Sequence, residues 1–273
     1  MAGTDGAWLP DVARQRLARF RESGLKTSLL PVAGAVGVES VGLRPVGEVM
    51  GCIVQNIGWT GGLGYGMGGF AGSVSFRPYV NALYHGYDTA LARMTTEAAG
   101  MNADGIVGVR LTRTGLGESG QEFMALGTAV RADSTRRPRR PFTTDLPGQD
   151  LAKLMQAGWV PTRIAIGIAV ESQFLDWQSR AQMSVMAGNS EVDAYTQLIN
   201  RTRAESREKF GRHARDAGAD GAIVASMGLR SWHQDAANAP LLCAEATVFG
   251  TTISRFHSDG QQQPKPLTIM SLR

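Results

Sequence analysis

The side chains best suited to chemistry are scattered along this chain. Its nitrogen and soft-sulfur donors are four histidines (His85, His213, His233, His257) and two cysteines (Cys52, Cys243). A zinc or copper site needs several such groups converging at about 2.0–2.3 Å. No C-x-x-C or H-E-x-x-H spacing brings them together, so Cys52 and His85 stand as isolated candidates for a divalent metal. Glu122 and Glu245 each lie five residues before a Gly-Thr step. They are candidates for holding a ligand or an ion around a ring, and an inter-subunit ion pair is the alternative. No G-x-S-x-G nucleophile elbow occurs, and no catalytic residue is assigned.

One stretch imitates a phosphate loop. Residues 58–72 read GWTGGLGYGMGGFAG, and Gly64, Gly66 and Gly69 satisfy G-x-G-x-x-G. A Walker loop also needs Gly-Lys-Ser/Thr, and residues 58–81 contain no lysine. A dinucleotide loop opens its helix directly, whereas here Pro78 starts the helix nine residues after Gly69. The stretch is therefore not a cofactor loop. Trp59, Leu63, Tyr65, Met67 and Phe70 alternate with its glycines and are candidates for contact with a partner or a membrane.

The totals narrow the classes. A chain of 273 residues holds one large or two smaller domains. No apolar run approaches the roughly 20 residues of a membrane span. The start, MAGTDGAWLPDVARQRLARF, lacks the order of a secretory signal, so a cytoplasmic protein is expected. The formal charge of +4 does not by itself call for nucleic acid. Basic residues interleaved with aromatics are missing, so no nucleic-acid partner is expected.

An internal repeat organises the chain. GLRPVGEVMG at Gly42 and GWVPTRIAIG at Gly158 align Pro45 with Pro161 and Gly51 with Gly167, all 116 apart. NADGIVGV and GADGAIVA keep that offset. QEFMALGTAV and AEATVFGTTI align Glu122 with Glu245 at an offset of 123, so copy two carries about seven extra residues near SWHQDAANAP. In copy two, Ile164, Ile166, Ile168 and Val170 alternate with Ala165, Gly167 and Ala169, which is strand periodicity. Val80, Tyr84, Tyr87, Leu91, Met94 and Ala98 step as an amphipathic helix. The matching helix spans about 191–217, with Tyr195, Ile199, Phe210 and Ala214 on one face. The predicted fold is α+β: two tandem β-α-β-β units, each a helix packed on antiparallel sheet. Exposed sheet edges then favour assembly into an oligomer.

The expected domains are an N-terminal extension (1–38), unit one (39–132), a basic linker (133–154), unit two (155–256) and a flexible tail (257–273). A short helix is predicted at 10–21, with Val12, Leu17 and Phe20 as apolar contacts. TSLLPV at 27–32 is expected to add an edge strand. Arg136, Arg137, Arg139 and Arg140 are anion-binding candidates within an otherwise solvated linker. Cys52 falls in register with Ile168 and is expected as a small buried hydrophobe. His85 and His213 fall at positions expected on helix surfaces, His213 aligning with Glu97. Asp104 and Asp220 precede glycines and read as turn chemistry.

VGEVMG, NADGIVGVRL and EFMALGTAV in copy one, with TRIAIG, GADGAIVASM and EATVFGTT in copy two, resemble the YbjQ family of proposed heavy-metal-binding proteins. The resemblance implies a dodecin-like fold, pentamer-based homo-oligomers and a possible divalent metal, with no other cofactor. The tail LTIMSLR resembles encapsulin cargo-loading peptides, with Met270 where a glycine is usual. Leu267, Ile269 and Leu272 would be its docking residues, either on a partner shell or back onto this protein's own ring. Taken together, the expected function is a non-enzymatic ring- or shell-forming scaffold or small-ligand- or metal-binding assembly. A membrane- or partner-associated adaptor and an encapsulin cargo are the alternatives.

Overall fold

The computed structural model describes residues 10–24, 27–57, 76–117, 119–135, 137–174, 181–182, 188, 191–236 and 239–255. In chain order these form α1 (Asp11–Ser23), α2 (Val32–Ser40), β1 (Leu43–Asn56), α3 (Arg77–Gly100), β2 (Gly105–Leu116), β3 (Gly120–Ala132) and β4 (Phe142–Thr143). Then follow α4 (Gly148–Gln156), β5 (Trp159–Phe174), α5 (Asp193–Asp216), β6 (Gly221–Ala236) and β7 (Ala239–Arg255). The fold is α+β, with two repeated units of helix on antiparallel sheet. Sheet one has the order β1-β3-β2-β4 and sheet two the order β5-β7-β6.

The repeat is visible at the level of single atoms. A Cβ on Gly51 would overlap the Ala90 carbonyl and sit 2.5 Å from Met94 N; on Gly167 it would overlap the Ser206 carbonyl and sit 2.6 Å from Phe210 N. Each contact pair is the other shifted by 116. Only glycine lets a helix backbone come this close to a strand. Asp104 accepts Ala132 N at 2.8 Å, and Asp220 accepts Arg255 N at 2.8 Å. These aspartates therefore tie the end of each third strand to the start of the second. The seven extra residues of copy two lengthen its hairpin: β6 and β7 have 16 and 17 residues, against 12 and 13 for β2 and β3.

The two units stack in one direction. The small face of β5 (Ala165, Gly167, Ala169) receives α5. Its bulky face (Ile164, Ile166, Ile168, Val170) shares a core with α3 of unit one, through Tyr79, Val80, Leu83 and Tyr87. Helix α3 thus lies between the two sheets and packs on both. Tyr87 meets Phe123 of sheet one edge-on at 4.9 Å and Phe249 of sheet two at 5.1 Å.

The offset of 116 also carries α2 onto α4 and Pro31 onto Pro147. TSLLPV does not become an edge strand: Pro31 N-caps α2, consistent with its fixed φ and missing N–H. The stretch expected as a linker contains β4, parallel to the start of β2, and α4, packed against α2. There a Cβ on Gly148 would overlap the Gly34 carbonyl, so the helices touch through backbone. Val12 is 68% exposed and makes no core contact; Leu17 does, and the side chain of Phe20 lies outside the described residues.

Replacing Gly51 or Gly167 with valine forces helix and sheet apart. Each should lower stability by about 3 kcal/mol or more, measured as a lower urea midpoint. Gly211→Ala on α5, where the nearest atom to a new Cβ is 3.5 Å away, should raise it by about 0.5–1 kcal/mol.

Candidate functional site

The paired glutamates have different fates. Glu245 on β7 is 2% exposed and points at unit one. Tyr79 Oη donates to its Oε2 at 2.8 Å, and Arg113 Nη2 to its Oε1 at 2.6 Å. Tyr79 comes from α3 and Arg113 from β2, so the cluster joins the two units across their seam. Burial, then the neighbouring carboxylate, pushes the Tyr79 phenol up to about 12, which keeps it a donor. Glu122, the equivalent on β3, sits opposite Val54 and Thr114 on the face of sheet one turned away from α3. It is only half-buried.

That outer face of sheet one carries Glu48, Met50, Cys52, Val54, Met124 and Leu126 by strand alternation. Cys52 is half-exposed rather than a buried core residue, because nothing among the described residues covers this face as α3 covers its counterpart. Cys243 is buried, and desolvation raises its thiol to about 11. His85 is exposed on α3. No group of three or more His, Cys, Asp or Glu residues that could hold a metal occurs among the described residues. The described donors of a single chain therefore do not fit a closed metal site. Soft sulfur occurs as Cys52 facing Met124 across the β1–β3 ladder.

Glu97 is not a surface residue and His213 is half-buried; both cap a strand edge. Glu97 is fully buried, accepts Met50 N at 2.7 Å and is clamped by Arg16 at 2.7 and 2.6 Å. At the equivalent place Ile166 N donates to His213 Nδ1 at 3.2 Å. Arg137 is bound to Asp104, while Arg139 and Arg140 are exposed. Arg136, the loop residues Trp59, Leu63, Tyr65, Met67 and Phe70, and the tail residues Leu267, Ile269 and Leu272 lie outside the described residues.

Sequence reasoning did not single out a second charged group. Glu171 on β5 and Glu205 on α5 are electrostatically interacting neighbours, with Arg201 at 3.5 Å from Glu171 and Lys209 at 2.7 Å from Glu205. They line a cavity of about 750 Å³ with Phe76, Tyr84, Phe174 and Arg212. Desolvation and then Glu205 push the Glu171 carboxyl up to about 7. A carboxyl raised on folding adds stability that is complete below its unfolded value near 4.5 and is lost as pH rises through about 7. Glu171→Gln should therefore flatten the fall in urea midpoint between pH 5 and 8. Parallel profiles for the two proteins would remove this carboxyl pair from the account.

Residues 38–133 match the YbjQ family model, described as "Putative heavy-metal-binding". An encapsulin nanocompartment protein, Rv1762c of Mycobacterium tuberculosis, is 31% identical over 227 residues, covering 79% of this chain and 81% of that protein. UPF0145 proteins of Halorubrum lacusprofundi and Shewanella frigidimarina are 34% and 32% identical. They cover 37% and 36% of this chain but 90% and 94% of their own length. A single-unit relative thus matches about one unit here, and the mycobacterial protein matches across both. None of these three carries an enzyme's name. The chain belongs to the YbjQ-like family, as a tandem member with two units in one polypeptide.

Proposed function

We propose that the protein is a non-enzymatic scaffold that assembles head to tail by repeating, between chains, the seam that joins its own two units. One observation carries this reading: every element of that seam has a counterpart with no partner among the described residues. Within the chain, α3 covers the outer face of sheet two, β4 pairs with β2, and α2 packs on α4. The counterparts are the outer face of sheet one, the open edge of β6, and the far sides of α2 and α4.

The unpartnered parts match in detail. Strand β6 exposes Val224, Met227 and Leu229 at 49%, 54% and 38%. Val32, equivalent to the Gly148 that packs on Gly34, is 83% exposed. The Tyr79–Glu245 bond has its counterpart in Tyr195 of one copy and Glu122 of the next. Within one chain Tyr195 Oη bonds His233 Nε2 at 2.5 Å instead. An open edge with apolar neighbours favours strand addition, and a heterologous contact of this kind closes into a ring or continues as a filament.

The mycobacterial relative's name, together with the LTIMSLR tail, supports a second reading: the assembly is associated with an encapsulin-type shell. Deleting residues 257–273 should abolish co-purification with a co-expressed encapsulin shell while leaving self-assembly intact. Mass photometry tests the scaffold itself. Tyr195→Phe and Glu122→Gln should each weaken assembly about tenfold, as expected for a hydrogen bond to a charged group. The double variant should be little worse than either single one. A 29.1 kDa monomer at micromolar concentration, or assembly indifferent to both substitutions, would overturn the reading.

A further inference from the structure

A cavity of about 380 Å³ lies at the end of the seam between the units, lined by Ile57, Arg113, Ser119, Gln121 and Arg230, with Gly115, Gly117 and Gly120. Three features give it a chemical character. Arg113 spends Nη2 on Glu245, while its Nη1 is buried with no hydrogen-bond partner among the described residues; Gln121 Oε1 is likewise buried and unpaired among them. Arg230, directly opposite Glu245 in the β6–β7 ladder, adds a second guanidinium. Glu245 is already taken by Arg113 and Tyr79, and the Arg230 guanidinium lies 5.5 Å from the Trp232 ring centroid, so its charge is not neutralised by that carboxylate.

Buried donors without partners cost free energy, more so when charged. A guanidinium fork is shaped to donate two parallel bonds to an oxyanion. The floor is open: a Cβ on Gly115 or Gly117 would meet nothing within 4 Å. We propose that this cavity binds a compact oxyanion, carboxylate or phosphate, held by Arg113 Nη1 and Arg230. Glu245 and Tyr79 fix the Arg113 fork from behind. Neither arginine recurs in the other copy, where Leu229 and Thr114 stand at the equivalent positions, so each chain has one such site. The site goes beyond the scaffold reading and does not depend on it.

Inorganic phosphate and succinate are the probes, with chloride at matched ionic strength as the control. Millimolar phosphate or succinate should raise Tm by roughly 2–4 °C over chloride, and the stronger probe identifies the oxyanion class. Arg230→Gln leaves the Glu245 pair intact, and Gly115→Val fills the floor. Each should remove the shift without lowering the Tm measured in chloride by a comparable amount. Arg113→Gln strips Glu245 of its partner and is expected to destabilise the fold, so it is not the deciding variant. No shift with either probe would overturn the site. So would a shift that survives in both Arg230→Gln and Gly115→Val, since binding would then lie elsewhere, for example at exposed Arg139 and Arg140.

Discussion

The close approach of α3 to β1 at Gly51 governs the rest of the molecule. With helix backbone almost touching strand backbone, α3 sits low on sheet one, and its side chains on the other flank rise clear of it. Those side chains, Tyr79, Val80 and Tyr84 among them, become the surface on which sheet two is laid. A larger residue at position 51 would lift the helix and change the spacing between both sheets. The same device at Gly167 seats α5 on sheet two. One small residue per unit therefore sets both the packing within a unit and the step between units.

That step has a direction. Unit one offers a helix flank and unit two offers a sheet face, so the contact is not its own mirror. Among the described residues each unit retains the part its neighbour has used: unit one keeps an uncovered sheet face and unit two an uncovered helix flank. Directional contacts of this kind do not terminate in a dimer. The copies have nonetheless diverged on these surfaces. Where α3 carries Tyr84, Tyr87 and Leu91, α5 carries Asn200, Arg203 and Arg207. Where sheet two presents Ile164 and Ile166, sheet one presents Glu48 and Met50. The internal seam is covalently tethered and mostly apolar. The proposed seam between chains would set arginines opposite glutamates and so be more polar than the internal one.

Features with a strong period were legible in the sequence. The alternation at 164–170 and the helical steps at 80–98 specified elements and their faces, because a strand or helix buried on one side has to repeat its apolar residues. What escaped had no period. VAGAVGVES is apolar all round, so it shows no stripe, and its helix is held by glycine contact with α4. RPRRPFTTDLPGQD looked like a polar connection, although Leu30-Pro31 and Leu146-Pro147 are also 116 apart. Glu97 does not read as buried for a related reason. A polar side chain that satisfies a buried strand edge looks, in sequence, like one that faces water. Glu245 stands out in the sequence because it recurs as Glu122, and Tyr79 recurs as Tyr195. Arg113 does not stand out, since it has no counterpart.

Symmetry between the copies is therefore evidence about fold, and its failures are evidence about chemistry. Glycine, aspartate and threonine positions recur because each solves a backbone problem that both units share. Thr128 accepts Leu29 N, and Thr251 accepts Asp145 N, at equivalent points. Nothing in the backbone requires a guanidinium at position 113 or 230, and the sister positions manage with leucine and threonine. Burying Arg113 beside Glu245 carries a desolvation cost that a pair of apolar residues would avoid. An arginine held there in one copy alone, with one side of its fork satisfied and the other facing a cavity, is better explained by what the cavity binds than by what the fold needs.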